Sequence, residues 1–152
     1  VDTSWYQPIT RKTTLAWRWK YGWGYPDDKN LFQLGGIEGL RGYDRKEIRG
    51  ANAFLGSMEY RFPLKENLRW QFCDNLLGLD AISGVVFLDA GQAWFNEFDD
   101  SRLRKDAGAG LRATMNVASM FEKVLIRADV AAPLNDDDAD DVRFWFGVGQ
   151  AF

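Results

Sequence analysis

The chain has 152 residues, with no histidine and a single cysteine, Cys73. The missing histidine removes Ser-His-Asp and Cys-His nucleophile activation together with His-ligated zinc. One cysteine permits neither a thiolate metal cluster nor an internal disulfide, so Cys73 reads as a packing residue. An enzyme built from this sequence would have to work with carboxylates, lysines or hydroxyls alone. No run of 18 apolar residues occurs, which excludes a membrane-spanning helix. The opening "VDTSWYQPIT" lacks the basic and apolar regions of a secretory leader. A dominant charge is missing too: 19 Lys and Arg face 22 Asp and Glu, a net charge of -3, which makes no case for nucleic acid or an anionic surface.

Aromatic residues and glycine are what the chain has in quantity. Seven Trp, five Tyr, eleven Phe and fifteen Gly suit strands with bulky outward groups and tight turns. In "TTLAWRWKYGWGY", Leu15, Trp17, Trp19, Tyr21, Trp23 and Tyr25 occupy odd positions, with Ala16, Arg18, Lys20, Gly22 and Gly24 between them. That period of two predicts a strand. A soluble sheet would need a thick core to cover such a row, whereas lipid accepts it without a partner layer.

The alternation recurs five times. Phe54, Met58, Tyr60, Phe62 and Leu64 oppose Ser57, Glu59 and Arg61, with Pro63 closing the strand. Val86, Leu88 and Ala90 oppose Phe87, Asp89 and Gly91; Ala107, Ala109, Leu111 and Ala113 oppose Asp106, Gly108, Gly110 and Arg112. Val124, Ile126, Ala128 and Val130 oppose Arg127 and Asp129, and Val142, Phe144, Phe146, Val148 and Phe152 oppose Arg143, Trp145, Gly147 and Gly149. One face is thus apolar throughout. The other collects Arg18, Lys20, Arg61, Arg112, Arg127 and Arg143 with Glu59, Asp89, Asp106 and Asp129. Isolated buried charges cost several kcal/mol each unless paired, so this face reads as a wet lumen rather than a dry core. The expected fold class is all-β, an antiparallel transmembrane β-barrel with its apolar face in lipid. A soluble sandwich or lipocalin-like barrel with the faces exchanged is the competing arrangement.

Loop lengths give an orientation. The connection from Pro26 to Ala51 is long, those from Phe95 to Lys105 and Asn135 to Asp141 are moderate, and Asn116 to Lys123 is short. Long loops of outer-membrane barrels face the exterior and short turns the periplasm, so the first three belong outside and the C-terminus in the periplasm. Lys65 to Ser83 breaks the pattern by its length, and its "LRWQF" and "NLLGL" pieces suggest a short interfacial helix.

Within the long loop lies "GLRGYDRKEIRG". Followed in order by "EYRFPL", "GVVFLDAGQAW", "DAGAGLR" and a terminal Phe152, it resembles the C-terminal barrel portion of the BamA-type superfamily of outer-membrane insertases and translocases, the bacterial surface antigen family. The resemblance covers residues 13–152 and implies the C-terminal six strands of a sixteen-stranded barrel, as a single domain spanning 1–152. Residues 1–12 would then end a preceding strand or loop, and 26–51 would be a long extracellular loop folded into the lumen. In that family an Arg-Gly-Phe or Arg-Gly-Tyr tip meets acidic groups on neighbouring strands. Gly39, Arg41, Gly42 and Tyr43 match the tip, and Glu59 and Asp89 the acidic partners. The last strand resembles an assembly signal through Gly147 and Phe152, although Gln150 stands where a hydrophobic residue is usual. Implied partners are outer-membrane lipids and lipopolysaccharide, unfolded or nascent outer-membrane polypeptides, and periplasmic domains or accessory proteins. No cofactor, metal, nucleic acid or enzymatic activity is implied. The functional expectation is outer-membrane protein insertion or polypeptide translocation. A barrel anchoring an N-terminal patatin-like lipase, or a passive pore, remains the alternative.

Three other motifs have simpler readings. "NDDDADD", Asn135 to Asp141, reads as a solvated loop before a divalent-cation site. "GAGLRA" nominally fits a dinucleotide fingerprint but precedes no helix, so its glycines read as strand residues. Glu59 and Asp89 as a glycosidase pair give way to a shared arginine.

Overall fold

Alternating sequence becomes strand wherever each face finds its own surroundings, and the long ladders of this protein follow that rule. A computed structural model describes residues 1–26, 29–68, 70–72, 77–117, 123–135 and 142–149. The strands are β1 (Asp2–Pro8), β2 (Thr14–Gly22), β3 (Phe32–Leu34), β4 (Ile48–Gly50), β5 (Asn52–Lys65), β6 (Trp70–Phe72), β7 (Leu77–Trp94), β8 (Arg104–Val117), β9 (Val124–Pro133) and β10 (Arg143–Val148). One 3-10 turn, Asp100–Arg102, precedes β8. The main sheet is antiparallel in the order β1-β2-β5-β7-β8-β9-β10, with β6 paired to the start of β7, while β3 and β4 form a separate two-stranded ladder.

The two faces separate as the alternation demands. Trp19, Tyr21, Met58, Leu88, Leu111, Phe144 and Phe146 are exposed on one side. Ala16, Ser57, Glu59, Phe87, Asp89, Asp106, Arg112, Arg127 and Asp129 are buried on the other. Within the described residues the six alternating segments lie in β2, β5, β7, β8, β9 and β10 with the expected facings, β2 ending at Gly22 short of Trp23 and Tyr25. The inner face is not open to water where the acids lie, however. The chain between β2 and β5 folds across it, and Leu34, Leu40 and Tyr43 pack against Ala53 and Leu55, so Glu59, Asp89 and Asp129 beneath are paired with arginines instead of hydrated.

Two further segments are defined by their pairing. β1 is a full strand, paired with β2 from Asp2↔Lys20 to Pro8↔Thr14. All seven of its residues are exposed, so no burial contrast marked it in the sequence. The segment expected as an interfacial helix is instead β6 and the first part of β7, which pair Trp70↔Leu79 through Phe72↔Leu77. A register shift against β8 between Leu79 and Ala81 leaves Asp80 bulged. That one extra residue moves the apolar set from Leu77 and Leu79 to Ile82, Val86 and Leu88, which hides the period.

Antiparallel order places the connections 23–51, 95–103 and 134–142 at one end of the sheet. The β1–β2 turn, closed by Ile9 N–H and Thr10 N–H donating to the Thr13 carbonyl, lies at the other. Cys73, Gln150, Phe152 and residues 136–141 of the Asp-rich loop lie outside the described residues.

Candidate functional site

The β2–β5 connection is shaped by short local devices. Its base is the ladder Phe32↔Gly50 to Leu34↔Ile48. Gly35 (φ 106°) and Gly36 (φ 90°) then turn the chain through the left-handed region that glycine alone enters at little cost. Gly36 N–H is shared between the carbonyls of Leu40 (3.0 Å) and Tyr43 (3.1 Å), and Gly39 N–H donates to Gly36 (3.0 Å). On the return side Asp44 N–H donates to the Glu47 carboxylate at 2.6 Å. The result is a compact knot with Arg41, Gly42 and Tyr43 at its tip.

That tip is pressed onto the inner wall. A Cβ on Gly42 would stand 2.6 Å from Asp106 Cβ and 2.9 Å from Pro133 N, so its backbone lies flush against β8 and β9. Tyr43 is 1 % exposed, and its hydroxyl reaches the Lys105 carbonyl and the Asn135 carboxamide oxygen, each at 3.3 Å. Trp145 of β10 donates its indole N–H to the Arg41 carbonyl at 2.6 Å. Gly39, by contrast, sits within the knot, where a Cβ would stand 3.3 Å from Gly35 N; Gly35 and Gly36, not Gly39, make the sharp turn.

Arg41 is 2 % exposed and uses its planar fork fully. Nε donates to Asp89 Oδ2 at 2.7 Å and Nη2 to Asp89 Oδ1 at 2.9 Å, while Nη1 donates to Glu59 Oε1 at 2.6 Å. Its Cζ lies 3.4 Å from the centroid of the Phe87 ring, a stacked cation against a π face. Burial alone would lower the Arg41 pKa, but the Asp89 and Glu59 carboxylates outweigh it and hold the value above that of an ordinary arginine. The guanidinium is permanently charged.

The network extends beyond this pair. Arg61 holds the second oxygen of Glu59 through Nε (2.8 Å) and Nη2 (2.6 Å). Arg112 engages both oxygens of Asp129, at 2.5 and 3.2 Å, and Asp129 in turn lies 3.8 Å from Arg41. Three arginines thus meet three carboxylates from β5, β7, β8, β9 and the loop. Glycines 108 and 110 of "GAGLRA" make the room: a Cβ at Gly108 would collide with Phe87, and one at Gly110 with Asp129. Asp106 stands opposite Asp89 in the ladder, buried, and among the described residues neither carboxyl oxygen has a partner at ordinary hydrogen-bond distance. Gly42 covers it.

Smaller ties hold the rest of the loop. Glu38 pairs with the buried Arg127 of β9, and Asp44 with Arg143 of β10 at 3.0 Å. Gly147 packs beside this contact, where a Cβ would stand 2.8 Å from Ile37 and 3.0 Å from Arg127. The sequence reading placed Phe87, Arg112, Asp129 and Trp145 on the inner face without giving them a partner; the available signal was that parity combined with residue type. With each of its carboxylates tied to arginine, the Glu59, Asp89 and Asp129 cluster suits mechanical clamping of a loop. Among the described residues no cluster of acids and cysteine is arranged to hold a metal ion.

Compared with known families, the chain matches the model described as the Omp85 superfamily domain over residues 1–152.

Proposed function

The chain belongs to the Omp85 superfamily, and from that membership we propose that its main sheet, β1 included, forms the C-terminal strands of a sixteen-stranded outer-membrane barrel that inserts or translocates polypeptides. Residues 26–51 form its extracellular loop, folded inward, with Arg41, Gly42 and Tyr43 as the tip that locks it to the wall. The C-terminus faces the periplasm. One observation carries this reading: Arg41 is buried and shared between Asp89 and Glu59 on two adjacent strands. A loop fixed across the lumen narrows any path through it. Tied to β5 and β7 at one end, and to β10 through Trp145, it couples the wall to the strand at the edge of the sheet, where polypeptide would be received.

The barrel acts without covalent chemistry. Removing one member of a buried, hydrogen-bonded charge pair typically costs about 3 to 5 kcal/mol, so the lock contributes on the scale of the whole fold's stability. The test is reconstitution of the full-length protein in lipid vesicles with an unfolded outer-membrane polypeptide as client. Arg41→Ala is expected to slow client insertion by an order of magnitude or more, with Arg41→Lys intermediate because one ammonium cannot form the fork. Client insertion at the wild-type rate by Arg41→Ala would contradict the proposal.

A further inference from the structure

The outward face carries a feature that the loop lock does not use. Along one row of the sheet Trp19 pairs with Gly56, Gly56 with Ala90, and Ala90 with Lys105. Two small residues therefore lie between an indole and an ammonium. The next row on one side is large, Trp17 with Met58 and Leu88, and Phe54 rises on the other, its ring 5.7 Å from that of Trp19. Leu134, whose N–H donates to the Lys105 carbonyl at 2.8 Å, closes the far end. The outcome is an apolar trough of about 620 Å3, within the range of small-ligand sites, about 300 to 1,000 Å3. Ser57, Asp89 and Asp106 reach its floor, but their side chains are directed to the buried inner face.

Lys105 is the one basic residue lining this trough. It is exposed, and among the described residues no carboxylate is paired with it. A lysine on the lipid side of a strand costs about 2 to 4 kcal/mol at the membrane midplane and only about 0 to 1 near the interface. Lys105 is the second residue of β8, at the end of the sheet that bears the long loops, so it stands where lipid phosphates lie. Apolar walls ending in an exposed ammonium complement an acyl chain ending in an anionic headgroup. We propose that the trough holds one acyl chain of a phosphorylated outer-leaflet lipid, with its phosphate on Lys105. Only the leaflet depends on the orientation proposed above; in the outer leaflet the phosphorylated lipid is lipid A.

Native mass spectrometry of the full-length protein, with diphosphoryl lipid A, phosphatidylglycerol or phosphatidylcholine as probe, tests this. One lipid A should survive transfer on the wild type. Ala90→Phe, which fills the trough, should cut its retention about tenfold, and Lys105→Gln, which leaves the trough open, about fivefold, both in protein that keeps its heat-modifiable fold. Equal retention by wild type and variants, or equal retention of phosphatidylcholine, overturns the site. Phosphatidylglycerol preferred over lipid A overturns the outer-leaflet lipid. Client insertion measured on the same preparations separates the two proposals: normal insertion without selective lipid retention removes this site alone, and lipid retention without insertion removes the insertase reading alone.

Discussion

Glu59, Asp89 and Asp129 are buried on one face of the sheet, and their chain neighbours Met58, Leu88 and Val130 are exposed on the other. The same strands and the same alternation thus end in opposite states. Each of these three acids has a named arginine at hydrogen-bond distance, and a small error of position would strand a charge. On the outer face an aromatic or aliphatic side chain needs only an apolar surround, and many residues meet that need equally. One face is specified residue by residue and the other only by class. Substitutions should therefore divide by face before they divide by size.

The largest effect is expected at the centre of the inner face. Arg41→Ala should lower stability by about 3 to 5 kcal/mol, read from urea unfolding in lipid vesicles, with Arg41→Lys recovering part of it. A loss below about 1 kcal/mol would put Arg41 among surface ion pairs and erase the contrast. The second effect tests the class rule itself. Val86→Arg, two pleats deeper than the Ala90–Lys105 row, should cost about 2 to 4 kcal/mol by the same measurement, whereas Val86→Ile stays within about 0.5 kcal/mol. Tolerance of the arginine would mean that this face does not meet lipid.

How far each face was legible in the sequence follows from the same difference. Period two is a local signal, so the facings of β2, β5, β7, β8, β9 and β10 could be read from neighbours along the chain. It vanished where Asp80 is bulged and in β1, whose seven residues are all exposed. The site needed information of another kind. Trp145 meets a residue 104 positions away, and nothing near either one marks the pair. Arg112 and Asp129 share an inward parity with eight other charges, and only the register Arg112↔Arg127 and Gly110↔Asp129 decides which arginine reaches which acid. The Arg41 tip and the acidic residues were identified through a family resemblance rather than through any rule of spacing. Glycine gave a partial clue: Gly108 and Gly110 mark where large inward groups must fit, although the sequence did not say which.

A third, smaller effect isolates the fit of the loop from its charge. Gly42→Val should cost about 1 to 3 kcal/mol through overpacking against β8 and β9, with protease cleavage of the loop increasing as the tip is pushed away from Asp106. Unchanged protection would show that the wall can yield there. The smallest effect is expected outside: Tyr60→Phe, which leaves the apolar surface in place, should alter stability by less than about 0.5 kcal/mol. A larger loss would reveal a specific contact on a face described here by class alone.

The claim that the tip is locked by a shared guanidinium is tested most directly by a double-mutant cycle between Arg41→Ala and Asp89→Ala, measured by unfolding of the full-length protein in lipid vesicles. The predicted coupling is about 1 to 3 kcal/mol, because each single variant already removes the bidentate bond and the second removal is then nearly free. Effects that add within about 0.5 kcal/mol would show that Arg41 and Asp89 act independently, and the lock described here would not exist.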